Sequence, residues 1–309
     1  MDQTTDNTSQ KQQQTETLRL IFPQSTGIMN ESWIPQDRGA DALRRGYDIG
    51  SSLLGMLMPG GSTASTVQIP LSEETSDPKS KLGMENYDNV LRQTKLTSDI
   101  VRSHDPARIV SLAGDFTASV VPIGHLARRY FKDMAVIWID SGPDVSIPYT
   151  MALMAWLGKR LKEFNTMWPT MIPASKLLAV GYRAWNQGLN EWQDNLGLKG
   201  VSPRNITTDG SAQVKEWLRG TGAGKVFIHL DLDVLDPGEL MSASSRPVGD
   251  DGHRRGIRMQ EVVQLINDVA TAYDLVGLTV VETIPRVALS LRTMLEQLPL
   301  FTDAKKDEA

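Results

Sequence analysis

The stretch that decides the fold runs from Val226 to Pro237 and reads Val-Phe-Ile-His-Leu-Asp-Leu-Asp-Val-Leu-Asp-Pro. It is too apolar for a half-exposed strand, so it predicts a buried central strand. Side chains alternate along a strand, so we expect Asp231 and Asp233 on one side, near the carboxyl end that Pro237 marks. Two carboxylates about 4 Å apart repel by about 4 kcal/mol at an effective dielectric constant of about 20, so the pair needs a cation, a shared proton or water. The plainer alternative is that both are helix caps or turn carboxylates.

The composition is that of a soluble globular protein. The chain has 309 residues, of which 40% are hydrophobic and 22% are charged, and both fractions are ordinary. The net charge of -5 and the lack of a long Lys/Arg stripe argue against a nucleic-acid partner. The lack of cysteine excludes disulfides, thiolate metal ligands and cysteine nucleophiles. The sequence has no secretory signal and no run long enough to cross a membrane, so we predict a cytoplasmic protein with no membrane partner.

The sequence predicts one folded domain between two polar ends. Residues 1–17 have almost no apolar side chains and are predicted to be a disordered N-terminal leader. Residues 18–300 are predicted to form a single α/β domain, and residues 301–309 a polar C-terminal tail. Within the domain, buried-strand patterns alternate with amphipathic helix patterns. This alternation predicts a three-layer α/β/α fold with a mostly parallel central sheet.

Acidic residues follow several of the predicted strands. In such sheets ligands bind outside the carboxyl ends of the strands, so we expect one cleft to contain Asp115, Asp140, Asp144, Asp231, Asp233 and Glu282. Unpaired buried carboxylates are costly, which indicates that something compensates them. Metal ions with oxygen ligands, a cationic substrate such as a guanidinium or amine, and protonated acids with a raised pKa all fit the sequence.

The motif from Asp231 to Pro237, preceded by Ile-His-Leu, resembles the arginase/agmatinase (ureohydrolase) family, and the bacterial arginases most. Gly114-Asp115-Phe116 stands where the family has Gly-Asp-His. The segment from Asp140 to Asp144, Asp-Ser-Gly-Pro-Asp, stands where the family has Asp-Ala-His-x-Asp. Glu282 stands at the family's late strand-end glutamate. The resemblance covers nearly the whole chain and implies an arginase-like fold.

The resemblance also implies a metal centre. In that family two manganese ions and a hydroxide attack a guanidinium carbon and release urea, and hard carboxylate oxygens suit manganese. Phe116 and Gly142 replace the two histidine ligands, so we expect manganese (Mn2+) at reduced affinity or stoichiometry, or no metal. The four remaining ligands implied by the resemblance are Asp140, Asp144, Asp231 and Asp233.

At the substrate end, we expect that in an enzyme Asp144 would transfer protons and Glu282 would orient the substrate. Two further expected substrate contacts are Phe116 and Asn186, and the expected supporting residues around the site are Asp115 and Asp236. Phe116 and Trp138 would make the pocket more apolar than in the family. Ala184 and Asn186 stand where the family has acidic residues that hold an ammonium group, so standard arginine hydrolysis is not expected.

The chain has four histidines, and two of them lie near the predicted cleft. His229 is on the central strand. We interpret it as a packed core histidine whose side chain is out of line with Asp231. His253 lies in a polar loop that could reach the site, and we predict that it is solvated.

Two functions fit these features. The first is a diverged ureohydrolase-like enzyme that acts on a small guanidino, amidino or other C–N-containing molecule. The alternative is a non-catalytic, metal-free arginase-like protein that binds a small molecule or a partner subunit. The predicted partner is a small cationic molecule. The family commonly forms trimers or hexamers, so the resemblance implies a homo-oligomer.

Overall fold

The computed structural model describes residues 17–23, 40–60, 64–71, 87–142, 167, 172–183, 197–240, 256–283 and 288–301. Its strands are β1 (Thr17–Phe22), β2 (Ala64–Gln68), β3 (Arg108–Ala113), β4 (Met134–Ile139), β5 (Leu177–Val180), β6 (Lys199–Val201), β7 (Lys225–Asp231) and β8 (Asp274–Val281). Its helices are α1 (Ala40–Leu57), α2 (Tyr87–His104), α3 (Val120–Tyr130), α4 (Pro203–Asp209), α5 (Ala212–Thr221), α6 (Met259–Ala272) and α7 (Ala288–Gln297). Short 3-10 helices cover Phe116–Ser119, Phe131–Asp133, Ala174–Lys176 and Leu232–Val234.

The described strands form one eight-stranded sheet in the order β2-β1-β3-β8-β7-β4-β5-β6, and every neighbouring pair is parallel. Alternate residues of β7 belong to different hydrophobic clusters, since Phe227 packs with α2 and α3 while Ile228 packs with α5, α6 and α7. Helices therefore cover both faces of the sheet. The predicted three-layer fold with a parallel sheet and a fully buried central strand is confirmed.

The ends of the folded region differ slightly from the predicted boundaries. Thr17 already belongs to β1 and pairs with Arg108 of β3. Phe301 is fully buried, and its carbonyl oxygen accepts a hydrogen bond from the buried Arg19 guanidinium at 2.8 Å. The rest of the predicted leader and tail lies outside the described residues. Among the described helices, none is both long enough and apolar enough to span a membrane.

The predicted strand ends earlier than the sequence pattern suggests. β7 stops at Asp231, and Leu232–Val234 forms a 3-10 helix. The Asp231 carboxylate caps this turn by accepting a hydrogen bond from the Asp233 amide at 2.8 Å. The prediction that Asp231 and Asp233 share a strand face is therefore wrong, because the short aspartate side chain competes with the strand ladder for the backbone N–H.

A buried histidine in α3 makes stability depend on pH. His125 is fully buried, and its Nε2 lies 2.9 Å from the Pro106 carbonyl oxygen. Burial lowers the pKa of His125 below its ordinary 6.5, and this effect exceeds the opposing effects of the Pro106 hydrogen bond and of Asp105. Below pH 6.5 the unfolded chain therefore binds a proton at this histidine more readily than the folded chain does. The free energy of unfolding consequently decreases as the pH falls below 6.5.

We expect the wild-type protein to lose more stability than His125→Gln between pH 7 and about pH 5. The glutamine amide can keep the hydrogen bond to Pro106 but does not titrate. Urea unfolding of both proteins at several pH values measures the difference. Parallel curves of unfolding free energy against pH would contradict the assignment.

Candidate metal and substrate site

Four of the predicted acidic residues lie close together at one edge of the sheet. Asp140 directly follows β4, Asp231 ends β7 and Glu282 directly follows β8. Since β8, β7 and β4 are neighbours in the sheet, their carboxyl ends meet. Asp233 joins them from the 3-10 helix after β7.

Two groups of possible metal ligands share Asp231. One carboxylate oxygen each from Asp231, Asp233 and Glu282 lie within 4.8 Å of one another. Asp140 and Asp231 form a second group with His229, again with one ligand atom from each residue and all of them within 4.8 Å. The three aspartates are buried, and Glu282 is partly exposed. The first group therefore offers only carboxylate oxygens, and the second offers two carboxylates and an imidazole.

Neighbouring donors fix the Asp140 carboxylate. Trp138 Nε1 donates to Asp140 Oδ2 at 3.0 Å, and the Gly142 amide donates to Oδ1 at 2.7 Å. Among the described residues, a Cβ at position 142 would have only Asp140 Oδ1 within 4 Å, at 3.8 Å. The Asp140 carboxylate is therefore held by donors from β4 and from the turn after it.

Asp233 is held by the turn after β4. The Ser141 amide donates to Asp233 Oδ1 at 3.1 Å, and the Ser141 hydroxyl donates to Oδ2. The buried Arg183 guanidinium donates to the Asp233 carbonyl oxygen. The sequence pattern did not single out Ser141 or Arg183. Ser141 follows Asp140 directly, so its position in the turn could have indicated this contact.

The structure corrects the interpretation of His229. It is fully buried, as predicted, but it lies two residues before Asp231 and therefore on the same face of β7. Its ring stacks on Trp138 with the ring centroids 3.6 Å apart and the planes at 13°. Nδ1 lies 2.7 Å from Ser119 Oγ, while Nε2 is buried and has no hydrogen-bond partner among the described residues. Burial lowers the pKa of His229 to about 3, so the ring is neutral at pH 7.

The structure describes some of the other predicted site residues, and the rest lie outside the described part of the chain. Phe116 starts a 3-10 helix and packs in a hydrophobic cluster that includes Trp138. Asp115 is fully buried, and its Oδ1 accepts a hydrogen bond from the Thr117 amide at 2.9 Å, so it caps that helix. Asp236 Oδ1 accepts from the Gly238 amide at 2.9 Å in the turn after the site. The remaining predicted residues outside the described part of the chain are Asp144, Asn186 and His253.

The sequence profile described as "Arginase family" matches residues 39–297. The chain belongs to the arginase family. The arginase of Staphylococcus aureus strain MRSA252 is 25% identical over 208 residues, which are 63% of this chain and 68% of that protein. Alignments with two other Staphylococcus aureus arginases cover 65% and 60% of those proteins.

Two solved structures illustrate the fold that this chain shares with known proteins. The Entamoeba histolytica arginase in complex with L-ornithine has a TM-score of 0.72 and 15% identity, with 92% of this chain and 98% of that chain covered. The formimidoylglutamase of Bacillus subtilis has a TM-score of 0.65 and 15% identity, covering 92% and 86%. At these identities the structural likeness establishes the family fold.

Proposed function

We propose that this protein is a diverged arginase-family hydrolase that acts on a small guanidino, amidino or other C–N-containing molecule and is not a standard arginase. The observation that carries the proposal is the convergence of Asp231, Asp233 and Glu282 at one edge of the sheet. Three clustered carboxylates strongly favour a cation over a neutral or anionic ligand. Membership of the arginase family supports hydrolysis of a C–N bond.

The donor set fits a divalent metal ion, although it differs from the family pattern. Phe116 and Gly142 cannot provide the two imidazoles, so we propose reduced manganese affinity or stoichiometry. Carboxylate oxygens suit manganese, and the residues that would hold it are Asp140, Asp231 and Asp233, with Asp144 as a further predicted ligand. When bound, such an ion supplies a Lewis acid and makes water a better nucleophile at neutral pH.

The side chains around the cation would bind and orient the substrate. Glu282 would accept hydrogen bonds from a guanidinium or amidinium N–H group. Phe116 and Trp138 belong to one hydrophobic cluster and would form an apolar wall beside the substrate. Proton transfer by Asp144 and substrate contact by Asn186 stay predictions from the family resemblance.

The backbone of Glu282 supports its functional role. Its φ is 58°, in the left-handed region that costs a non-glycine residue about 1–2 kcal/mol, and its amide donates to the Gly114 carbonyl oxygen at 3.0 Å.

We expect Glu282→Gly to match or exceed wild-type stability by up to about 1 kcal/mol while losing most turnover. Glu282→Gln is the matched control, since it loses the charge and keeps the strain. Both are checked by urea unfolding and kcat/KM, and a wild-type kcat/KM in either variant would argue against a substrate role.

A specific observation favours the second candidate, a metal-free protein that binds a small molecule or a partner subunit. Both Asp140 oxygens already accept protein N–H groups, from Trp138 and Gly142, so this carboxylate is partly compensated without a cation.

We also propose a cytoplasmic homo-oligomer, a trimer or hexamer, and no nucleic-acid partner. Light scattering coupled to gel filtration measures the assembly.

The deciding experiment is a turnover screen of guanidino and amidino compounds, with release of urea or ammonia as the readout. The full chain is assayed with excess manganese and after chelation, beside the Asp231→Asn variant. Turnover that needs Asp231 supports the enzyme. No turnover on any compound, together with a ligand-dependent rise in Tm, would refute the hydrolase and support the metal-free binding protein.

A further inference from the structure

We propose that His229 is a metal ligand that replaces the two missing family histidines, so that the chain holds one transition-metal ion between Asp140, His229 and Asp231. The inference rests on the proposed function for its biological meaning. Its evidence is independent, because it depends on the surroundings of one buried imidazole.

The register of β4 and β7 places these groups side by side. Trp138 pairs with His229, and Ile139 pairs with Leu230, so the next residues, Asp140 and Asp231, are neighbours at the sheet edge. Each ring lies two residues before its aspartate and therefore on the same face. Ligands about 2.1 Å from a shared ion are separated by about 3–4 Å. The three ligand atoms already lie within 4.8 Å of one another, so they would need to move together by a small distance at most.

The imidazole is held as metal-binding imidazoles are held. A ligating histidine usually binds an oxygen through its second ring nitrogen, which fixes the tautomer and the ring orientation. Here the Ser119 hydroxyl takes this position at Nδ1, at 2.7 Å, and the stacked Trp138 ring fixes the plane. Nε2 is left as the nitrogen available to a ligand.

Leaving that nitrogen without a partner would be unfavourable. A buried polar atom with no hydrogen bond costs about 1–3 kcal/mol, and His229 Nε2 has no partner among the described residues. A metal ion would satisfy this nitrogen and compensate the two buried carboxylates beside it. No substitution of Phe116 or Gly142 is needed for such a site.

The donor chemistry predicts which ion binds. One imidazole nitrogen with carboxylate oxygens suits manganese, iron, cobalt or zinc, whereas magnesium and calcium prefer oxygen ligands alone. The group of Asp231, Asp233 and Glu282 has only oxygens and shares Asp231 with the first site. We therefore expect one tight equivalent of a transition metal per chain and weak binding of magnesium.

The test is calorimetric titration of the metal-free full chain with Mn2+ and with Co2+, whose visible absorption reports its coordination geometry. We expect His229→Phe, which keeps a ring stacked on Trp138, to weaken binding by more than about 100-fold, and Ser119→Ala to weaken it by about 10-fold. His125→Gln is the matched control, because His125 is an equally buried histidine outside the site. It should bind as the wild type does.

A measurement on the wild-type chain covers the case in which His229→Phe fails to fold. With 15N-labelled histidine, substoichiometric Mn2+ should broaden the His229 ring signals before those of His104 and His125. Wild-type affinity in folded His229→Phe, no metal binding by the wild type, or unbroadened His229 signals would each overturn the inference. Metal binding through His229 without turnover on any compound would leave this inference standing and refute the hydrolase.

Discussion

Asp231→Asn is expected to lower kcat/KM by about 10²–10³-fold while the protein stays folded. Asp231 is the residue that both ligand groups share, so its charge acts on any cation bound at either group. The asparagine side-chain oxygen can still accept the hydrogen bond from the Asp233 amide, which Asp231 Oδ1 accepts at 2.8 Å. The turn after β7 should therefore survive the substitution.

The matched control is Asp274→Asn at the opposite end of the same sheet. Asp274 begins β8 and pairs with Arg108 at 2.9 Å on a partly exposed surface. Its loss should cost at most about 1 kcal/mol of stability and leave kcat/KM unchanged. The assay is release of urea or ammonia from whichever compound the wild type hydrolyses. Equal loss of activity in both variants would assign the effect of Asp231 to stability.

Gly277→Val should lower the free energy of unfolding by about 3 kcal/mol or more. A Cβ at position 277 would lie 2.2 Å from Phe227 Cδ2 and 2.9 Å from Leu126 Cδ1, and both side chains are fully buried. β7 also has a register irregularity beside this contact, between Val226 and Phe227. The close approach of the two central strands to α3 therefore requires a residue without a side chain.

Gly220→Ala is the control for the Gly277 prediction. Gly220 lies in α5, and a Cβ there would have none of the described residues within 4 Å. Alanine should therefore stabilise the helix by about 0.5–1 kcal/mol. Urea unfolding measures both variants. A Gly277→Val variant as stable as the wild type would contradict the tight packing of Phe227 against β8.

The fold was predictable because its signals are local and repeated. The apolar run of β7 and the aspartates after it predicted a buried parallel strand with acids at its end, and the sheet confirms this. The end of the strand was less predictable. Asp231 can extend a strand or cap a turn, and the choice depends on whether its carboxylate reaches the Asp233 amide.

The surroundings of His229 were harder to predict. Its spacing from Asp231 is visible in the sequence and indicates a shared face. The stacking on Trp138 and the contact with Ser119 depend on the register between β4 and β7 and on the helix after β3. Sequence separation hides such contacts, since Ser119 is 110 residues away from His229.

The strand order also determines when the site can form during synthesis. Among the described strands, β8 alone joins the group β2-β1-β3 to the group β7-β4-β5-β6. It is also the last strand to leave the ribosome. Until then β3 and β7 have unpaired edges, which are prone to aggregation. The two halves and the site that contains Glu282 can therefore assemble only after β8 has been synthesised, and such long-range pairing folds slowly.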